Sequence, residues 1–174
     1  MDQSTRGMPI PDNYESKLPV RAGLLAGLTG ALSIMVVVAA LLVLAGRDIW
    51  TAARLIAVVV YGPDAAVGIA PIVVGTAIHL LMGSTLGTVF AWVLPCMPRG
   101  IWIVAGLLYG VVAWLISTFL VLPVVAPPMI AADTNVNVLL LAHLVYGFVL
   151  GIAGATYDLG WTLPARLQSA HSDA

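Results

Sequence analysis

The stretch AGLLAGLTGALSIMVVVAALLVLA, residues 22–45, is 24 residues long and contains no charged side chain. At a rise of 1.5 Å per residue, a helix of this length covers about 36 Å, more than the roughly 30 Å hydrocarbon core of a bilayer. Three further stretches have the same character, at residues 67–93, 101–125 and 136–157. The sequence therefore predicts an all-α membrane protein with four transmembrane helices.

The composition of the whole chain agrees with a membrane environment. Of the 174 residues, 61% are hydrophobic and 9% are charged, whereas a soluble domain carries about 25% charged residues. The net charge of −1 provides no basic surface for nucleic acid, and the single Cys96 excludes an internal disulfide framework. The expected partners are the lipid bilayer and other membrane-protein subunits or further copies of this chain, and not nucleic acid.

The two ends of the chain are polar and flank the transmembrane domain, predicted at residues 21–161. Residues 1–20 and 162–174 are predicted to be tails. Arg6, Lys17, Arg21, Arg99 and Arg166 lie on the side of the two tails, and Arg47 and Arg54 lie on the other side. Because basic residues accumulate on the cytoplasmic side, we expect a multi-pass inner-membrane protein with both termini in the cytoplasm.

A shorter apolar segment, residues 48–61, separates the first two spans. It is too short to cross a bilayer and too apolar for an exposed loop, so it predicts an interfacial helix. Asp48 is the expected N-cap of this helix and Gly62 its stop signal.

Two pairs of similar stretches indicate an internal repeat. AGLLAG at residues 22–27 matches AGLLYG at 105–110, and HLLMGSTLG at 79–87 matches HLVYGFVLG at 143–151. The first pair is offset by 83 residues and the second by 64, and the difference of 19 is about the length of the additional helix. The chain therefore predicts a duplicated two-helix hairpin, in which both copies share one membrane orientation as a parallel repeat.

Glycines recur four residues apart on all four spans. Residues at i, i+4 and i+8 share one helix face, and small residues at this spacing let helices approach closely in lipid. The predicted helix-packing residues are Gly23, Gly27, Gly83, Gly87, Gly106, Gly110, Gly147 and Gly151.

His79 and His143 occupy equivalent places in the repeat and are the candidate functional residues. A polar imidazole within a bilayer requires a hydrogen bond, a metal or contact with water. Three interpretations stay open: hydrogen bonds between helices, axial ligation of a b-type haem by both histidines, and a proton or solute path in a small channel or transporter. Serines, threonines and tyrosines in the spans, Ser117, Tyr109 and Tyr146 among them, are candidate imidazole partners.

The sequence contains no motif typical of an enzyme. A phosphate-binding loop, an H-E-x-x-H metal motif and a G-x-S-x-G nucleophile motif are all absent from it, and haem iron is the only metal that the residues suggest. We therefore expect a non-catalytic accessory or assembly subunit of a larger bacterial inner-membrane complex, respiratory or photosynthetic.

The stretch AWLISTFLVLP, residues 113–123, together with the two histidine–glycine stretches, carries a family resemblance. Over about residues 22–157 the chain resembles a group of small bacterial four-helix membrane proteins of unknown function, and it is similar to the YagU-type inner-membrane proteins. The resemblance implies a four-span inner-membrane protein and assigns no activity.

Overall fold

The computed structural model describes Leu18 and residues 20–62, 67–94, 99–125 and 135–162. The predicted tails at 1–20 and 162–174 lie outside this part of the chain, apart from the few residues next to the helices. Leu18, which the sequence assigned to the first tail, is 3% exposed and packs into the hydrophobic core.

Every regular element of the described residues is helical. The helices are α1 (Val20–Leu44), α2 (Thr51–Tyr61), α3 (Ile69–Val93), α4 (Arg99–Ile116, continued by a π-helical turn at Ser117–Val121 and a last α-helical turn at Leu122–Val125) and α5 (Val136–Thr162). Of these, α1, α3, α4 and α5 are long and apolar enough to cross a membrane. The prediction of an all-α protein with four helices long and apolar enough to span a membrane is confirmed, and the helix ends fall within a few residues of the predicted ones.

The π-helical turn of α4 has a local cause in the sequence. Pro123 lacks an N–H group, and its ring conflicts with the carbonyl of Phe119, four residues earlier, in a regular α-helix. In the structure the N–H of Leu122 donates to the carbonyl of Ser117, five residues back. The wider turn accommodates the proline without ending the helix.

The turn before α2 differs from the prediction in one respect. The helix begins at Thr51, so Asp48 is not its N-cap. The Asp48 carboxylate instead accepts a hydrogen bond from the backbone N–H of Trp50 at 3.1 Å and forms an ion pair with Arg54. Gly62 ends the helix as predicted, with φ of 75° and its N–H donated to the carbonyl of Val58 at 2.8 Å.

Helix α2 packs against the first part of α3. Ala53 and Ala57 are buried, and a Cβ atom built on Gly75 would overlap the Ala53 carbonyl and lie 3.2 Å from the Ala57 nitrogen. The small residues on both helices thus allow backbone contact. An interfacial depth for α2 stays a prediction.

The four long helices pack in the order α3, α1, α5 and α4, and aromatic rings lie between α3 and α4. Helix α1 packs against α3 and α5, and α4 packs against α5. Between α3 and α4, the ring of Phe90 lies 6.1 Å from that of Trp102 and 5.1 Å from that of Tyr109. The buried core consists of Leu18, Ala26, Phe90, Ala91, Trp102, Tyr146 and Leu150.

Candidate functional site around His79 and His143

The glycines of α1 and α3 face one another. A Cβ atom on Gly27 would lie 2.9 Å from the Gly87 Cα and overlap the Gly83 carbonyl, and one on Gly23 would lie 2.6 Å from the Gly87 carbonyl oxygen. Real Cβ atoms do not approach other heavy atoms this closely. The two backbones are therefore in direct contact, and only glycine fits at these positions.

The glycines of α4 and α5 form a second contact of the same kind. A Cβ atom on Gly106 would overlap the Gly147 carbonyl and lie 2.8 Å from the Gly151 Cα, and one on Gly110 would overlap the carbonyl of His143. All eight predicted packing glycines therefore lie at two contacts, one between α1 and α3 and the other between α4 and α5. Neither contact joins the second predicted span to the fourth.

His79 lies beside the end of the α1–α3 contact. Its Nε2 atom is 3.2 Å from the carbonyl oxygen of Ala31 on α1, and the Ala31 methyl group lies next to Gly83. A carbonyl oxygen only accepts hydrogen bonds, so Nε2 carries the proton and donates it. The imidazole thereby joins α3 to α1 one helical turn beyond the contact between Gly27 and Gly83.

His143 uses both ring nitrogens. Nδ1 lies 2.8 Å from the carbonyl oxygen of Leu139, one turn earlier on α5, and Nε2 lies 3.0 Å from the hydroxyl of Ser117 on α4. The same hydroxyl lies 3.1 Å from the carbonyl oxygen of Trp114. Ser117, a candidate imidazole partner in the sequence, is thus the partner of His143, and it belongs to the π-helical turn.

When the imidazole is neutral, the three contacts around His143 and Ser117 have one proton too few for three hydrogen bonds. The carbonyls of Leu139 and Trp114 can only accept. A neutral imidazole and one hydroxyl together supply two protons for three contacts. Nδ1 must donate to Leu139, so Ser117 donates either to Nε2 of His143 or to Trp114, and only a protonated imidazole fills all three.

One tyrosine of α4 and one of α5 donate to carbonyls of α3. Tyr109 donates to Leu86 at 2.7 Å, and Tyr146 donates to Gly83. The sequence offered both tyrosines as imidazole partners, and the structure assigns them to backbone oxygens instead. They connect the α4–α5 pair to the α1–α3 pair, and sequence spacing gave no signal for this role.

Two further polar atoms near Ser117 are buried without a hydrogen-bond partner in the described part of the chain. They are Nε1 of Trp114 and Oγ1 of Thr118, whose residue is 8% exposed. An unpaired buried donor costs about 1–3 kcal/mol, so such an atom requires an explanation. Both belong to the same two turns of α4 as Ser117.

The hydrogen bonds do not fit axial ligation of a haem by His79 and His143. Axial ligation by both histidines needs a free lone pair on each of them, whereas both nitrogens of His143 are engaged in hydrogen bonds, as is Nε2 of His79. A metal ion bound by side chains alone is a separate case, and the described residues contain no group of three or more histidine, cysteine, aspartate or glutamate side chains that could hold one. The contacts favour the interpretation of the histidines as hydrogen-bonding groups between helices.

Comparison with known proteins identifies a family without assigning an activity. No curated protein and no solved structure matches the chain. One family model matches residues 18–159, which include all four membrane-spanning helices as far as Leu159 and both histidines. The chain therefore belongs to the family of unknown function DUF6789.

Proposed function

We propose that the protein is an accessory or assembly subunit of a larger membrane complex. This proposal rests on the difference between the side chains on the inner and outer faces of the helices. Inside the bundle, glycines and hydrogen-bonded polar groups join the helices to one another, whereas the outward faces present bulky apolar side chains. Exposed residues of this kind include Val36, Leu81, Trp92, Phe119 and Phe148.

The outer faces of the helices, and not the faces that carry the eight packing glycines, are available to a partner subunit. The glycine faces already contact one another within the chain. In lipid, helices associate through close van der Waals packing and hydrogen bonds, and exposed aromatic side chains such as Phe119 and Phe148 offer large contact area. The partner is another membrane protein or a second copy of this chain.

We also propose that the two helix pairs are duplicated hairpins. Ala31 and Trp114 are 83 residues apart, the same offset that relates residues 22–27 to 105–110. In the first pair the imidazole of His79 bonds to the Ala31 carbonyl, and in the second the Ser117 hydroxyl lies between the imidazole of His143 and the Trp114 carbonyl. This correspondence supports a common ancestor for the two pairs.

The proposed location is a bacterial inner membrane with both termini in the cytoplasm. The resemblance to YagU-type proteins and the distribution of basic residues support it. Labelling of Asn137→Cys, but not of Cys96, by a membrane-impermeant thiol reagent on intact cells is the expected result.

Site-specific photo-crosslinking in native membranes tests the subunit role. A photoreactive phenylalanine analogue at Phe119, which is 63% exposed, is expected to give a crosslink to a different membrane protein. The matched control is the same analogue at Phe90, which is fully buried and should crosslink only within the chain. Products from position 119 that contain only lipid would contradict the proposal, and products that contain only this chain would replace it with self-association.

A further inference from the structure

The contact between Ser117 and His143 has the geometry of an activated nucleophile. The two atoms, Oγ and Nε2, lie 3.0 Å apart, and the other ring nitrogen is held by the Leu139 carbonyl at 2.8 Å. A hydroxyl within hydrogen-bond reach of a base, with the base oriented by a third group, is the common signature of nucleophilic catalysis.

The Leu139 carbonyl also determines which tautomer His143 adopts. Because the Leu139 carbonyl requires the proton on Nδ1, a neutral His143 presents the lone pair of Nε2 to Ser117. His79 differs, since its Nε2 carries the proton and faces the Ala31 carbonyl. The residue 83 positions before Ser117 is Ile34, so the first hairpin has no equivalent hydroxyl, and the nucleophile–base pair is a property of the second hairpin alone.

The unpaired donors on α4 supply a further element. Nε1 of Trp114 and Oγ1 of Thr118 are buried without an acceptor among the described residues, and they lie three positions before and one position after Ser117. Acyl transfer places a developing negative charge on a carbonyl oxygen, which hydrogen-bond donors stabilise. The substrate oxygen would be the acceptor that these two donors lack.

We propose that Ser117 and His143 form an acyl-transfer site whose substrate is the ester of a membrane lipid. The Ser117 oxygen attacks the ester carbonyl and its proton passes to Nε2 of His143. The bond from the carbonyl carbon to the alcohol oxygen then breaks, and His143 returns the proton to the departing lysolipid. Attack of a water molecule on the acyl-serine, with His143 again as base, releases the fatty acid and restores the serine.

The depth of the pair in the bilayer indicates a lipid ester. Ser117 is eight residues from Val125 and His143 is seven from Val136, so both lie about 10–12 Å from the helix ends. The 27 residues of α5 span about 40 Å and extend roughly 5 Å beyond each side of a 30 Å hydrocarbon core. The pair then lies some 5–7 Å below the boundary at which ester carbonyls are found. Leu120, which is 65% exposed, opens this turn of α4 to lipid.

This inference goes beyond the subunit role and departs from the sequence-based expectation that the chain is not an enzyme. Ser117 lies outside any G-x-S-x-G motif, and 26 residues separate it from His143. Only the packing of α4 on α5, with the π-helical turn, brings the two together.

Activity-based labelling tests the site in the full-length protein reconstituted in lipid nanodiscs. A long-chain alkyl fluorophosphonate is expected to form one adduct, which peptide mass spectrometry maps to Ser117. Ser117→Ala should abolish the adduct, and His143→Gln should slow its formation by about 100-fold or more, since a general base contributes on that order. The controls Ser33→Ala and His79→Gln should label at the wild-type rate, because among the described residues the Ser33 hydroxyl donates to the Thr29 carbonyl and His79 donates to the Ala31 carbonyl.

Two outcomes would overturn the proposal. One is folded, monodisperse wild-type protein without an adduct at Ser117, a result that needs no variant and so holds even if a substitution prevents folding. The other is an unchanged labelling rate in folded His143→Gln protein. Release of lysolipid from phosphatidylcholine vesicles by the wild type, and not by Ser117→Ala, would extend the result from the probe to the substrate. Crosslinking at Phe119 is independent of these measurements, so the subunit role and the acyl-transfer site fail separately.

Discussion

Substitution of Gly87 by alanine measures the close contact on which the first helix pair depends. The added Cβ atom would lie 2.5 Å from the Gly27 Cα and 2.7 Å from its nitrogen, whereas ordinary contacts begin at 3.4 Å. The same atom would overlap the Gly23 carbonyl, so helices α1 and α3 must separate by at least about 0.9 Å, the difference between 3.4 and 2.5 Å. A gap of this size forfeits a quarter to a half of the dispersion energy at each affected contact, and overpacking of this kind costs about 1–3 kcal/mol.

The matched control for this substitution is Gly100→Ala. Gly100 is helical, and a Cβ atom there meets nothing within 4 Å. Both substitutions gain helix propensity of up to about 1 kcal/mol. The gain is smaller near a helix end, so the comparison understates the cost at Gly87. The free energy of unfolding in detergent micelles should fall by about 1–3 kcal/mol for Gly87→Ala relative to Gly100→Ala. Equal values for the two variants would refute direct backbone contact between α1 and α3.

Three further predictions concern the connections of the bundle, the turn before α2 and the histidines. Tyr146→Phe should lower the free energy of unfolding by roughly 0.5–1.5 kcal/mol, because the bond to Gly83 is lost, whereas Tyr61→Phe on the exposed end of α2 should have no effect. The backbone N–H of Trp50, and to a smaller extent Arg54, lowers the pKa of Asp48. The turn before α2 should therefore be fully stabilised above the ordinary carboxyl pKa and lose this stabilisation as the pH falls through the lowered one. A fall in the hydrogen-exchange protection factor of the Trp50 amide on acidification, absent in Asp48→Asn, is the expected signature. The dithionite-reduced minus oxidised visible spectrum should show no haem α-band, and a band lost with either histidine would contradict the hydrogen-bonding role.

The four spans were predictable because their length and apolarity are set by the bilayer and leave few alternatives. The face of each helix that carries glycines was also readable, since a four-residue spacing defines one face. The helix that packs against each glycine face was not predictable, because periodicity contains no information about which helix lies opposite. The structure joins Gly27 to Gly83 and Gly106 to Gly147.

The sequence predicted that each histidine needs a hydrogen-bond partner, but not which atom provides it. Burial of an imidazole demands a partner, and the sequence offered Ser117 among several hydroxyls. The choice depends on the π-helical turn before Pro123 and on the approach of α4 to α5, which are tertiary features. Thr118 was one of the candidate imidazole partners and Trp114 gave no signal, because an unpaired buried donor is visible only after packing.

The protonation of the two imidazoles tests the account most directly, because the contacts assign them opposite tautomers. Nitrogen-15 NMR of histidine-labelled protein in lipid bilayers, in a His171→Ala background, resolves His79 and His143. We expect the proton of neutral His143 on Nδ1 and that of neutral His79 on Nε2, and Ser117→Ala should shift only the Nε2 resonance of His143. The same tautomer at both positions, resonances shifted by metal coordination, or a His143 spectrum insensitive to Ser117→Ala would contradict it.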